Sequence, residues 1–338
     1  MNSQQKSNTE TDSYNNPVSA TFNGIVDLFR KKERIGTLSD DERLDGKTCL
    51  VTGANSGLGK ATAIKLAQRG ARVIMACRSG IPEAGEAVKK LSGSHDVEMV
   101  RLDLSDLDAV RACCKNLESK GERLDRVILN AGLVPQKPQK TLQGFEMMFG
   151  VHFVGNMQLI LGLLQNGTIP NNSFAANAVV GETPRIIFVS SESHRSGTPI
   201  DMNTFGVPVE YSPMGSIAQY GHSKLVMTSF AMELSRRLQK DGKPDVSVHA
   251  LCPGPINSNI AREAPALFKP VLGAVMGVLF ASPEKASEPV MYLACSESVE
   301  GQTGLYLHLM TLKQPAPQAS DERLAAQIWA AGEKMIAG

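Results

Sequence analysis

A chain of 338 residues has room for one large α/β domain or two small ones. Hydrophobic residues make up 42% and charged residues 20%, enough for a sizeable core. Lys and Arg (35) balance Asp and Glu (34) to a net charge of +1, so no broad basic field exists to hold nucleic acid. The six cysteines (Cys49, Cys77, Cys113, Cys114, Cys252 and Cys295) form no C-x-x-C pair and mostly lie in apolar runs. They point to the cytoplasm or another reducing intracellular compartment, not to secretion. The six histidines show no H-E-x-x-H or similar spacing, so no metal is expected.

Residues 1–20 are polar, with neither a secretory signal nor an Arg-rich transit pattern, and read as a disordered tail. No stretch reaches the ~18 apolar residues of a spanning helix; the longest candidate, Val271–Ala281, is shorter and holds two glycines. Phe22, Ile25 and Phe29 predict a short amphipathic helix over Phe22–Arg30. It either docks on the body or, with Arg30–Lys31–Lys32 beside it, makes peripheral membrane contact. The run Ser39–Glu42 reads as a solvated linker to a domain starting near Leu44 and continuing to residue 338.

From there the pattern alternates. Apolar strands are predicted at Thr48–Thr52, Arg72–Ala76, Val97–Leu102, Arg126–Asn130, Arg185–Ser190, Ser247–Cys252 and Gly304–His308, separated by helical stretches. Near-continuous apolar strands between helices imply a parallel sheet covered on both faces. Right-handed crossovers make it a doubly wound, Rossmann-like single domain. Asn166–Pro184 reads as an inserted surface loop, and residues 192–217 as a second long connection.

After the first strand comes Thr52-Gly53-Ala54-Asn55-Ser56-Gly57-Leu58-Gly59, opening a helix. Glycines there allow a tight turn, close approach of a pyrophosphate, and close packing of helix on strand. The helix start offers free N–H groups to the anion. The second strand runs into Cys77-Arg78-Ser79 with no acid for a ribose 2′-hydroxyl. Arg78 suits a 2′-phosphate instead, which favours NADP(H) over NAD.

Tyr220 and Lys224 stand four residues apart, on one helical face. A phenol has pKa ≈ 10; a nearby Lys⁺ favours its phenolate and suits it to proton transfer. Ser191, after the fifth strand, faces the crevice at the strand ends, where its hydroxyl can bond a substrate oxygen. Ser190, Ser193 and Ser196 compete for that role.

From about Leu44 to Ile336 the chain resembles a short-chain dehydrogenase/reductase, in the branch of the retinol dehydrogenases and WW-domain-containing oxidoreductases. The resemblance is carried by T-G-A-N-S-G-L-G at 52–59, A-C-R at 76–78, D-L-S at 103–105 and N-A-G at 130–132. V-S-S-E-S-H-R at 189–195, Y-G-H-S-K at 220–224 and C-P-G at 252–254 complete it. It implies hydride transfer between nicotinamide and a carbonyl or alcohol carbon, with Tyr220 as general acid/base and Ser191 on the substrate oxygen. Lys224 would bind the nicotinamide ribose and relay the proton. Asp103 and Leu104 would flank adenine, Asn130, Ala131 and Gly132 would lie beside the cofactor, and Pro253, Gly254 and Ile256 would line the nicotinamide.

Two departures stand out. His152, in F-G-V-H-F-V-G-N, occupies the position where the family carries a fourth catalytic residue, an asparagine that holds relay water. A histidine has an unperturbed pKa near 6.5, so protonation there would slow turnover as pH falls; the alternative is a packed ring that never meets the relay. The 29-residue separation of Ser191 and Tyr220 is also long, so residues 192–217 must fold over or beside the site.

The apolar stretch within residues 255–282, with Leu267, Phe268, Val271 and Leu272, reads as the substrate segment, packing surface or homodimer contact. The resemblance implies lipophilic retinoid-, steroid- or lipid-aldehyde-like substrates, and a C-terminal helix over 321–336. Two alternatives stay open: an NADP-binding sensor or scaffold without turnover, and a sugar-nucleotide epimerase or dehydratase. The latter class usually carries T-G-x-x-G-x-x-G, whereas the spacing here is T-G-x-x-x-G-x-G.

Overall fold

The protein, represented by a computed structural model, is described over residues 35–175, 182–255 and 281–338. Seven strands follow the expected order: β1 (Thr48–Thr52), β2 (Arg72–Cys77), β3 (Val97–Arg101), β4 (Arg126–Leu129), β5 (Arg185–Val189), β6 (Ser247–Cys252) and β7 (Tyr306–His308). An eighth, β8 (Thr311–Lys313), pairs antiparallel with β7 at the edge. It left no signal in the sequence, because three half-exposed residues carry no period. The sheet order is β8-β7-β6-β5-β4-β1-β2-β3, with every other pairing in it parallel.

Alternate residues of each strand feed separate cores, as a sheet buried on both faces requires. Leu50, Ile74, Ile186 and Phe188 pack toward α3 (Leu107–Ser119), α4 (Met147–Gln165), α5 (Gly215–Arg237) and α7 (Glu322–Ala337). Val51, Val73, Met75 and Ile187 pack toward α1 (Gly57–Gln68), α2 (Glu83–Ser92) and α6 (Glu288–Cys295). The strand order reverses between β1 and β4, which opens a crevice at their carboxyl ends. The expected C-terminal helix forms as α7; Asp321 caps it by accepting from the Leu324 N–H at 3.0 Å.

Several expectations change. Glu42 is no free linker residue: its carboxylate accepts from Ser296 Oγ (2.6 Å) and the Glu297 N–H (2.9 Å). Ile35 is bonded through its own N–H to the Met310 carbonyl at 2.9 Å. The loop beginning at Asn166 is not wholly on the surface, since Thr168, Ile169, Asn171 and Ala175 are buried. Among the described residues one helix, α4, is long and apolar enough to cross a membrane, contrary to the sequence expectation, but 83% of its apolar window is buried inside the fold. It is the central helix of one core. The predicted 1–20 tail, the Phe22–Arg30 helix, Ile256 and the apolar 265–280 stretch lie outside the described residues.

Candidate active site

The glycine turn is shaped by backbone crowding. Gly53 (φ +66°) and Gly57 (φ +53°) adopt a left-handed conformation that side chains disfavour. A Cβ on Gly53 would lie 2.9 Å from Ala131 Cα, and one on Gly59 would overlap Asn130 Nδ2 and the Gly53 carbonyl. Asn130 ties the turn down, donating to the Thr52 carbonyl at 2.9 Å. Thr52 Oγ1 returns the bond, accepting from the Asn130 and Ala131 N–H groups, both at 3.0 Å. Ser56 precedes α1 without capping it, and no acid sits in the first turn, so the helix N–H groups face the crevice unopposed.

That turn forms one end of a cleft of about 680 Å³. Gly53, Asn55, Ser56, Gly57, Leu58, Gly59, Arg78, Asp103, Leu104, Asn130, Ala131, Gly132, Pro253 and Gly254 line it, together with Ser191, Tyr220 and Lys224. The cleft is lined by every described residue that the sequence assigned to cofactor or catalysis, while His152, Ser193 and Ser196 lie outside its lining. Arg78 is exposed at the cleft rim, and Asn55 Nδ2 donates to the neighbouring Ser79 carbonyl at 3.2 Å. The donor set fits a dinucleotide phosphate: free helix N–H groups, a glycine cradle and one mobile guanidinium.

At the other end Ser191, Tyr220 and Lys224 converge. Gly221 explains the approach, because a Cβ on it would meet the Ser193 carbonyl at 2.6 Å. Helix α5 thus passes directly under the turn that follows Ser191, and the 192–197 segment lies beside the site. Among the competing serines, Ser190 is buried against Thr228 Oγ1 (2.7 Å) and Ser196 Oγ donates to the Ser193 carbonyl. Ser193 Oγ accepts from Ser191 Oγ at 3.1 Å, and Ser191 is the serine that hydrogen-bonds Tyr220.

Burial pushes the Tyr220 hydroxyl up to about 12, against the lowering by its Ser191 bond. The expected lowering by Lys224 is not seen, with Lys224 Nζ 5.7 Å from the ring centroid. Lys224 is buried, donates to the Val189 carbonyl at 2.9 Å, and is brought down to about 8 by desolvation. Cys252 also lines the cleft, but burial raises its thiol to about 12, so it is not a thiolate at neutral pH.

His152 lies in a π-helical turn of α4 (Gly150–Val154), edge-on to Tyr220 at 5.7 Å between ring centroids. Its Nε2 accepts from the Leu133 N–H at 3.2 Å, so the ring proton sits on Nδ1, 2.9 Å from Ser223 Oγ. Burial first, then the Lys224 charge, hold it well below the usual histidine range. The titration expected near 6.5 is thereby overturned: the ring stays neutral at working pH. Sequence reasoning missed the opposite wall, formed by Leu133, Val134, Pro135, Met147 and Val151 with Gln139. Only folding brings the loop after β4 against α4.

Three comparisons relate the chain to known proteins. The family model for short chain dehydrogenases matches residues 47–200. Human retinol dehydrogenase 13 is 34% identical over 95% of this chain and 94% of its own length, and human retinol dehydrogenase 14 is 35% identical over 90% of each. A crystal structure of an uncharacterised protein from Mycobacterium paratuberculosis superposes with a TM-score of 0.67 at 27% identity, covering 89% of this chain and 98% of that one. The chain belongs to the short-chain dehydrogenase/reductase family, in its retinol-dehydrogenase-like branch, and is an NAD(P)-dependent oxidoreductase of alcohol and carbonyl groups.

Proposed function

We propose that this enzyme uses NADP(H) to interconvert a lipophilic carbonyl and its alcohol, with Tyr220 as general acid/base. The observation that carries the reading is the single cleft joining the glycine turn and Arg78 to Ser191, Tyr220 and Lys224. The N–H groups of α1 and the glycine turn would hold the pyrophosphate, Asp103 and Leu104 would flank adenine, and Arg78 would bond the 2′-phosphate. Asn130, Ala131 and Gly132 would border the cofactor, with Pro253, Gly254 and Ile256 beside its nicotinamide. Bound nicotinamide supplies or accepts the hydride.

The protein's part is proton transfer and orientation. Ser191 Oγ would hold the substrate oxygen beside Tyr220 Oη. Tyr220 is a phenol at neutral pH and is loaded to donate its proton to that oxygen in reduction. In oxidation it would take the alcohol proton, a direction aided by the Lys224 ammonium, which would also bind the ribose hydroxyls. The apolar wall of Leu133, Val134, Pro135, Met147 and Val151 favours a lipophilic substrate, as do the names of the two retinol dehydrogenase relatives. Pro255 and Ala281 are joined by a backbone bond of 3.0 Å beside Pro253 and Gly254. The two described residues that flank the predicted substrate segment thus meet next to the cleft. Six buried thiols without a disulfide fit a reducing compartment.

The test is consumption of NADPH and NADH with all-trans-retinal and with a short aldehyde. The reading expects turnover with retinal and preference for NADPH. NADPH that binds tightly without being consumed by any carbonyl would instead favour the sensor or scaffold reading.

A further inference from the structure

Three side chains of the V-S-S-E-S-H-R stretch have no part in the chemistry above, and all three reach the same place. Glu192, His194 and Arg195 belong to the 3-10 turn that follows Ser191 (Glu192–Arg195), and each bonds the far end of the chain. Glu192 accepts from Tyr306 Oη on β7 (2.9 Å), Lys313 Nζ on β8 (2.7 Å) and Arg195 Nε (3.0 Å). Arg195 donates to the Gln314 carbonyl. His194 Nε2 accepts from the Ala316 N–H at 2.9 Å. The strap from Lys313 to Ala316 is therefore stitched to the turn carrying Ser191.

His194 is the stitch that reaches Ser191 itself. A backbone amide can only donate, so Nε2 is unprotonated and the ring proton lies on Nδ1. Nδ1 stands 2.7 Å from the Ser191 carbonyl oxygen, which also accepts the His194 N–H at 3.0 Å. Upstream, the Ser190 N–H is bonded to the Leu251 carbonyl at 2.6 Å. The backbone is thus pinned on both sides of Ser191. His194 is 1% exposed, so no solvent molecule is at hand to replace either of its bonds.

We propose that His194 is a positioning residue: anchored by the strap at Ala316, it fixes the Ser191 carbonyl and so aims Ser191 Oγ at the substrate oxygen beside Tyr220. The proposal rests on the role given to Ser191 above. A displacement of about 1 Å at a reacting group costs ~10²-fold in rate, so even a partial loosening is measurable.

The two ring nitrogens can be tested apart. His194→Asn places an amide donor near the Nδ1 position and loses the acceptor for Ala316. His194→Gln places an acceptor near the Nε2 position and loses the donor to Ser191. The full chain is assayed with NADPH and all-trans-retinal for kcat, KM, NADPH affinity and melting temperature. His194→Gln is expected to lower kcat ~10-fold with KM and NADPH affinity within about two-fold. His194→Asn, which keeps the donor to Ser191 but loses the Ala316 anchor, is expected to lower kcat only ~3-fold even where its melting temperature falls. In a Ser191→Ala background neither substitution should lower kcat further, because the residue they act through is gone.

Equal kcat losses in the Asn and Gln variants, or losses undiminished in the Ser191→Ala background, overturn the proposal. If His194→Gln does not fold, Ala316→Pro decides. Ala316 has φ −57°, which proline accepts, and the change replaces the N–H that anchors His194 with a ring carbon that pushes the imidazole aside. It should lower kcat ~3-fold or more, and an unchanged kcat overturns the proposal. Failure of the parent reading looks different: Ser191→Ala alone leaves turnover intact, or the wild-type protein does not turn over retinal.

Discussion

In the nucleotide half of the crevice the backbone does the shaping, whereas in the catalytic half side chains reaching across the chain do it. Gly53, Gly57 and Gly59 lie within one turn, and the bond from Asn55 to Ser79 spans 24 residues. His152 and Ser223 are 71 residues apart, and His194 and Ala316 are 122 apart. His152 and His194 use one arrangement, with Nε2 taking a backbone N–H and Nδ1 turned toward a neighbour of the chemistry. The nucleotide half should therefore fail when atoms are added, and the catalytic half when single hydrogen bonds are removed.

The largest effect sharpening this contrast is expected from Gly59→Val. Its side chain would collide with Asn130 Nδ2 and the Gly53 carbonyl, so the turn must open. About 3 kcal/mol of strain against the bound state corresponds to ~10²-fold weaker NADPH binding, measurable by titration. Unchanged affinity would show that the turn is not the phosphate cradle. A smaller effect follows from Arg78→Ala, where losing a charge-assisted bond of ~2 kcal/mol predicts ~30-fold weaker NADPH binding and little change for NADH. Equal shifts for both cofactors would remove Arg78 from the 2′-phosphate.

The smallest concerns His152. Its pKa is depressed, so its charged form is absent above the usual histidine range and no gain or loss of charge occurs near 6.5. The pH–rate profile should show no limb between about pH 5.5 and 7.5 from this residue. His152→Asn should leave that shape unchanged and lower stability by ~1–3 kcal/mol, because the Leu133 N–H loses its acceptor. A limb near 6.5 that disappears in His152→Asn would restore the relay role.

The fold was legible because buried parallel strands write themselves as apolar runs, and each of the seven predicted strands forms within one or two residues of its expected bounds. The glycine turn was legible for a related reason: its constraint is local, and only glycine satisfies it. Strand β8, three residues long, left no periodic trace. The stitches from His194 and Glu192 to the strap were equally silent, since nothing at 192–195 announces partners near 313–316. At His152 the sequence left a titrating ring and a packed neutral one both open, because burial and the Leu133 N–H, neither written in the local sequence, bear on its protonation.

The account depends most on Tyr220 handling the proton, and the direct measurement is turnover of Tyr220→Phe with NADPH and all-trans-retinal, alongside NADPH binding. Phenylalanine keeps the ring that packs against His152 and removes only the hydroxyl. The predicted result is a fall in kcat of ~10²-fold or more, with NADPH affinity within about two-fold of wild type. Turnover close to wild type would contradict the account.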